Sequence, residues 1–359
     1  MNFPPPPPPP GSIRSAPPRS LNFGLFVLAG LWVIAANRLA DSAAQGIIAS
    51  LPINPIAPLL APAFLLFLLV LGFNAISRLH THTGSLLAIT GLPKRPTQGE
   101  EFQRGIALGW AITLIAVLPM MLIGALHPEF WLGPRNWFPT VVSLATIAIG
   151  TLAAEVAFRG YLYSRLTAAI GTVAATLVVS FIYAITSLLH PNSTGLSMTV
   201  AFFTSILLCI AWQRTHGLWI GWGLHFGWAA TTAILLGLPT AGDASLPTLL
   251  TTSTSGPDWL SGGAYGPDAA FFTLIVRVFA IIALYRITRD YAWNYTHRPI
   301  VSAGYPMDIP PPAAHTAMEQ AAAPAPLVQI LASTPANPST MPVIEEHLRS
   351  TQPPDSPTE

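Results

Sequence analysis

The stretch WFPTVVSLATIAIGTLAAEVAFRG, residues 137–160, decides the fold. Its first eighteen residues carry no charge, and a carboxylate and a guanidinium then follow at Glu155 and Arg159. About 20 mostly apolar residues cross a bilayer as a helix. The stretch lacks the alternation of a strand and exceeds a strand's usual length, so a helical span over 137–157 is expected. Seven other runs read the same way: 21–36, 56–76, 106–126, 168–189, 196–212, 218–238 and 269–284. The fold class expected is all-α, a polytopic membrane helix bundle of about eight transmembrane helices.

Composition supports this independently. Of 359 residues 52% are apolar and only 9% charged, and mean hydropathy is +0.53, whereas soluble domains carry about 25% charged residues. A formal charge of +1 offers no footing for nucleic acid. The 37 prolines are concentrated at the ends, nine within 1–20 and thirteen within 299–359. The unbroken prolines 4–10 read as a stiff, solvated polyproline II rod, a spacer rather than an SH3-type ligand. Both Pro-rich tails, 1–20 and 291–359, are expected to be disordered, since they hold too few large apolar residues to repay ordering. A cleaved signal peptide fits poorly, because the polyproline precedes the first apolar run. Cys209, the single cysteine, reads as a small core residue.

Eight spans assign each loop to one side, and the basic residues then test the assignment. With both termini cytoplasmic, thirteen of the sixteen Lys and Arg fall inside, among them Arg78, Lys94, Arg95, Arg104, Arg159, Arg165 and Arg214. Only Arg38 and Arg135 fall outside, and Arg277 lies within the last span.

Ionised groups inside a bilayer are costly and usually have a partner or a task. Glu155 is the one carboxylate inside a span, and Arg159, four residues on, shares its helix face. His190 closes the fifth span and His225 lies within the seventh. Two His and one Glu on three helices are groups that bind zinc or activate water in peptidases. His80 and His82 form a His-Thr-His pair in a basic loop, a weak metal signal.

These residues carry a resemblance to the CPBP intramembrane proteases, which include type II CAAX prenyl endopeptidases and bacteriocin-processing or immunity proteins. The first motif of that family, Glu-Glu-x-x-x-Arg, is matched by Ala154-Glu155-Val156-Ala157-Phe158-Arg159. The second, Phe-x-x-x-His, is matched by Thr186 to His190, and the third, His-x-x-x-Asn, by His225 to Ala229. The resemblance covers roughly 105–238, and the Gly-rich segment 256–268 looks like that of bacterial members. It implies catalytic roles for Glu155, Arg159, His190 and His225, a peptide or membrane-protein substrate or partner, and a bacterial cell membrane as location. The chain then divides into the N-terminal tail 1–20, two N-terminal helices with a basic cytoplasmic loop 21–104, a CPBP-like protease domain 105–290, and the C-terminal tail 291–359.

The departures from the motifs fall at functional positions. In the family the first Glu activates water together with the motif-two His, while the motif-three His and Asn hold the oxyanion. Here Ala154 and Ala229 occupy the Glu and Asn positions, and Thr186 replaces the Phe. Adjacent helical residues point about 100° apart, so Glu155 does not aim where a residue at 154 would. Rescue would require a rotated helix or a zinc ion held by Glu155, His190 and His225. Two functions therefore stay open: hydrolysis of peptide bonds in membrane-associated or prenylated substrates, and a catalytically silent relative acting as a membrane scaffold or immunity-type binding protein. A transporter ranks last, as no inverted repeat is evident.

Depth adds two expectations. Counting residues along straight helices puts Glu155 near one membrane face and His190 near the other, so a shared site demands breaks at Gly160, Gly171 or Pro191 and a protein-lined, water-filled cavity. Arg277 is too deep for easy reach to the surface and is expected to face the bundle interior, with Asp268 or backbone carbonyls as partner. The acidic loop 239–268 reads as solvated or as a lid over an outward cavity.

Overall fold

The computed structural model describes residues 17–79, 86–130, 137–243 and 250–288, all within the unit Met1–Pro299. The polyproline run, His80, His82 and the C-terminal tail lie outside the described residues. The chain folds in the order α1 (Arg19–Ser50), α2 (Ala57–Arg78), α3 (Leu86–Ile89), α4 (Gln98–Leu122), β1 (Leu126–Phe130), α5 (Trp137–Arg159), α6 (Tyr161–Ile170) and α7 (Thr172–Ser187). It continues as α8 (Gly195–Thr215), α9 (Trp219–Ala230), β2 (Leu250–Thr254), α10 (Asp258–Ser261) and α11 (Phe271–Ile287).

Breakers, more than hydropathy, set the helix ends. The expected first span 21–36 is only part of α1, whose 32 residues extend roughly 48 Å. The helix passes through Arg38 and Asp41 because an Ala-rich sequence meets no proline before Pro52, and Ala36, Ala40 and Ala44 bury one face of the extension. Gly160 ends α5 and Gly171, at φ +87°, ends α6. The expected fifth span 168–189 is thereby shortened to α7, which begins at Thr172 and stops at Ser187, before His190. In the seventh, α9 gives way to a π-helical turn, Thr231–Leu235.

Among the described residues, five helical stretches are long and apolar enough to cross a membrane: Arg19–Ser50, Asn54–Arg78, Gln98–Leu122, Trp137–Ile170 and Gly195–Thr215. Thr172–Ser187 is apolar but shorter, and α9 and α11 also stop short of a full crossing length. Large apolar side chains cover the outer surfaces, for example Leu31 and Ile34 on α1, Phe67 and Leu71 on α2, and Val173 and Phe181 on α7. In water such a surface would drive aggregation, and in lipid it is solvated. The protein is a polytopic α-helical membrane bundle.

The pairing of α4 with α9 positions the site. Gly105 and Gly109 on α4 meet Gly223 and Gly227 on α9, and a Cβ on any of the four would strike the backbone of the opposing helix. Small residues at four-residue spacing are what lets helix backbones touch in a membrane. His225 lies between Gly223 and Gly227, so this close contact holds its position along α9. Elsewhere α1 packs on α2 and α6, α2 on α5, α7 on α8, and α8 on α11.

One small sheet qualifies the all-α expectation. β1 and β2 pair antiparallel from Leu126↔Thr254 to Phe130↔Leu250. The Thr252 hydroxyl donates to the Leu236 carbonyl, which ties this sheet to the end of the π-helical turn. The loop after α9 is thereby anchored near the cavity described next.

Candidate active site

A cavity of about 290 Å³ opens inside the bundle among α5, α7, α8, α9 and the loop that precedes α11. That volume has room for roughly ten waters at their share of the liquid. Ala154, Thr186, His190, His225, Ala229 and Asp268 all line it. Three sequence motifs far apart in the chain thus converge on one space.

The convergence meets the condition that depth imposed, with helix breaks at Gly160 and Gly171 and a cavity between the helices. Because α6 and its two flanking glycines take up the residues after α5, α7 starts late, at Thr172, and an aromatic contact links it to the end of α5. The Phe158 ring packs edge-on against Tyr183, with ring centroids 5.1 Å apart. Running back along α5 and onward along α7 from that contact reaches Ala154 on one side and Ser187 on the other. His190 follows in the turn after α7 and is exposed at the cavity's edge. The loop after α9 holds this turn: Gly242, at φ +79°, lies so close to the Pro191 carbonyl that any side chain would collide with it.

The two neighbours at the end of α5 part company. Ala154 faces the cavity, whereas Glu155 is fully buried against α8 and α9. Glu155 Oε1 accepts from Arg159 Nη1 at 3.1 Å and bonds His225 Nδ1 at 2.8 Å. A carboxylate only accepts, so His225 Nδ1 carries a proton in that contact, and Nε2 is the nitrogen left for a cavity ligand. Arg159, also fully buried, donates from Nη2 to Ser205 Oγ at 2.7 Å, and its guanidinium lies 4.7 Å from the Tyr183 ring centroid. Arg159 therefore stays on the packed side as the partner of Glu155, and His225 is the member of this network that reaches the cavity.

The zinc set of Glu155, His190 and His225 does not assemble among the described residues. Among the described residues no group of three or more His, Cys, Asp or Glu side chains is placed to hold a metal ion. Glu155 does not line the cavity, and its Oε1 is engaged by Arg159 and His225, whereas His190 lines it from the turn after α7. The donor set does not fit zinc.

Arg277 faces inward as expected and is 1% exposed. Its Nη2 donates to Asp268 Oδ1 at 3.3 Å, and its guanidinium carbon sits 3.3 Å from the centroid of the Trp228 ring. Trp228 in turn stacks on His225, with ring centroids 5.7 Å apart. Desolvated cation–π contacts of this kind are worth about 2 kcal/mol, and they stabilise a cation whose Nε and Nη1 have no hydrogen bond among the described residues. The residue underrated from sequence is Asp268. It was legible as a partner for Arg277, but nothing in the chain's order shows that the carboxylate also lines the cavity.

Residues 135–231 match the family model of type II CAAX prenyl endopeptidase Rce1-like proteins. A CAAX/Rce1-like domain is present over that interval, from the N-terminal end of α5 to the start of the π-helical turn, and it contains all three motifs. The interval is narrower than the 105–238 read from the motifs, and it excludes the loop carrying Asp268. No curated protein and no solved structure matches the chain.

Proposed function

We propose that this protein is an intramembrane endopeptidase that hydrolyses a peptide bond in membrane-associated or prenylated substrates. The observation that supports it is the meeting of His190 and His225 at one cavity inside a membrane bundle, within a CAAX/Rce1-like domain. Peptide-bond hydrolysis needs water, a base and a place for the developing oxyanion, all shielded from lipid. A cavity between helices provides the shielding, and the two imidazoles provide groups that exchange protons or donate hydrogen bonds. Glu155 and Arg159 act behind the cavity wall, where Glu155 orients His225. The bundle crosses the membrane eight times, by α1, α2, α4, α5, α7, α8, α9 and α11, with both termini cytoplasmic, following the distribution of basic residues. The shorter α7 and α9 line the cavity, and α11 starts just after the loop that lines it.

A second reading, a catalytically silent binding protein, is favoured by Ala154 and Ala229. Both line the cavity, and neither can move a proton nor hold an oxyanion. The two readings separate in one assay of the purified full chain in detergent on a quenched prenyl-peptide. Hydrolysis by the native chain that is lost in His190→Ala and in His225→Ala supports the endopeptidase. No cleavage by the native chain, with cleavage gained in the double variant Ala154→Glu, Ala229→Asn, supports the silent relative.

A further inference from the structure

We propose that Asp268 is the carboxylate that activates water in this cavity, taking the role left vacant by alanine at position 154. The inference rests on the endopeptidase reading and deepens it by naming the base.

The argument begins with elimination. Ala154 faces the cavity but has no proton acceptor. Glu155 has one, yet it points away, and its Oε1 is bound to Arg159 and His225. Among the described residues lining the cavity, Asp268 is the only carboxylate. It lies outside the interval that matches the endopeptidase family model and outside the three motifs, which assign it no role.

Its placement suits the task. Asp268 sits in a single 3-10 turn, Pro267–Ala269, whose backbone is closed by Ala269 N–H to Gly266 O at 2.9 Å and Ala270 N–H to Pro267 O at 3.0 Å. Gly266 before it, at φ +98°, approaches the Pro239 carbonyl so closely that only glycine fits. The carboxylate is therefore held from its own backbone. Oδ1 is taken by Arg277, and Oδ2 has no hydrogen bond among the described residues. The side chain keeps 15% of its surface open, compared with none for Glu155. A carboxylate with one oxygen clamped by Arg277 and part of its side chain open at a cavity wall is a geometry for proton abstraction from water.

The step balances without any further reactant. Asp268 accepts a proton from water as the water oxygen bonds to the scissile carbonyl carbon. The tetrahedral intermediate collapses with cleavage of the C–N bond, and the proton held by Asp268 passes to the departing nitrogen. One peptide bond and one water become a carboxylic acid and an amine, and the aspartate is regenerated.

The test uses the full chain in detergent with a quenched prenyl-peptide for turnover and a fluorescent, non-cleavable analogue for binding. Asp268→Asn preserves shape and an acceptor for Arg277. It is expected to lower kcat by about 10² to 10⁴ with analogue binding unchanged. Adding Ala154→Glu to that variant is expected to recover kcat at least tenfold, because both positions face the same cavity; recovery also demonstrates that the Asn variant folds. Native-level kcat in Asp268→Asn overturns the inference and leaves the endopeptidase reading standing. Loss of analogue binding in Asp268→Asn, or loss of kcat that Ala154→Glu does not recover, identifies Asp268 as a latch for α11 and also overturns it. Absence of cleavage by the native chain overturns both.

Discussion

Two carboxylate–arginine pairs lie inside this bundle and differ in one respect that matters. Glu155 and Arg159 are successive turns of the same helix, both without any exposed side-chain surface. Asp268 and Arg277 join a loop to a helix, and the carboxylate remains partly open to the cavity. The first pair is closed by His225, Ser205 and Tyr183, so it works as part of the wall. The second has its arginine buried over Trp228 and its acid facing the space where a substrate would sit. Equal chemistry in the sequence becomes scaffold in one place and candidate reagent in the other because of which atoms reach water.

The comparison is broken most severely at Arg159. Arg159→Leu leaves Glu155 ionised and buried with His225 alone, and removal of one partner of a buried pair typically costs about 3–5 kcal/mol. The expected result is a large fall in thermal midpoint in detergent, and a midpoint unchanged from the native chain would remove the pair from the wall. Arg277→Leu is expected to cost less, about 1–3 kcal/mol, since cavity water can hydrate the stranded Asp268. Equal losses from the two leucine variants, measured side by side, would show that exposure does not distinguish the pairs. The smallest effect is expected at the helix beside the cavity. Thr194 and Ser197 form a reciprocal cap at the start of α8, and Thr194→Ala should cost about 1 kcal/mol. A markedly larger loss there would mean that the cap also supports the turn carrying His190.

Several of these relationships were readable in the chain. The i,i+4 spacing of Glu155 and Arg159 specifies their pairing before any tertiary contact exists. The 100° step from 154 to 155 already separates a cavity face from a packed one. The depth of Arg277 demands an internal partner, and Asp268 was within reach. Other features were hidden for equally physical reasons. Hydropathy continues smoothly through 168–171 and does not register the break at Gly171 that moves α7 and, with it, His190; only the glycine itself, singled out by depth, pointed to it. The polar residues Arg38 and Asp41 suggested the end of the first span, while helix propensity and the absence of proline carried α1 on to Ser50. The β1–β2 pair joins segments more than a hundred residues apart, and neither strand has a decisive local pattern.

The sequence by itself determined that the chain inhabits a membrane and that its long apolar runs become helices. These are properties of composition, period and spacing, all local along the chain. Only the tertiary structure decided that Ala154, His190, His225 and Asp268 surround one cavity while Glu155 is turned away from it. That outcome depends on the glycine-to-glycine contact of α4 with α9, the late start of α7 and the Trp228 platform beneath Arg277. Each is a packing event between distant segments, and packing selects which side chains meet water.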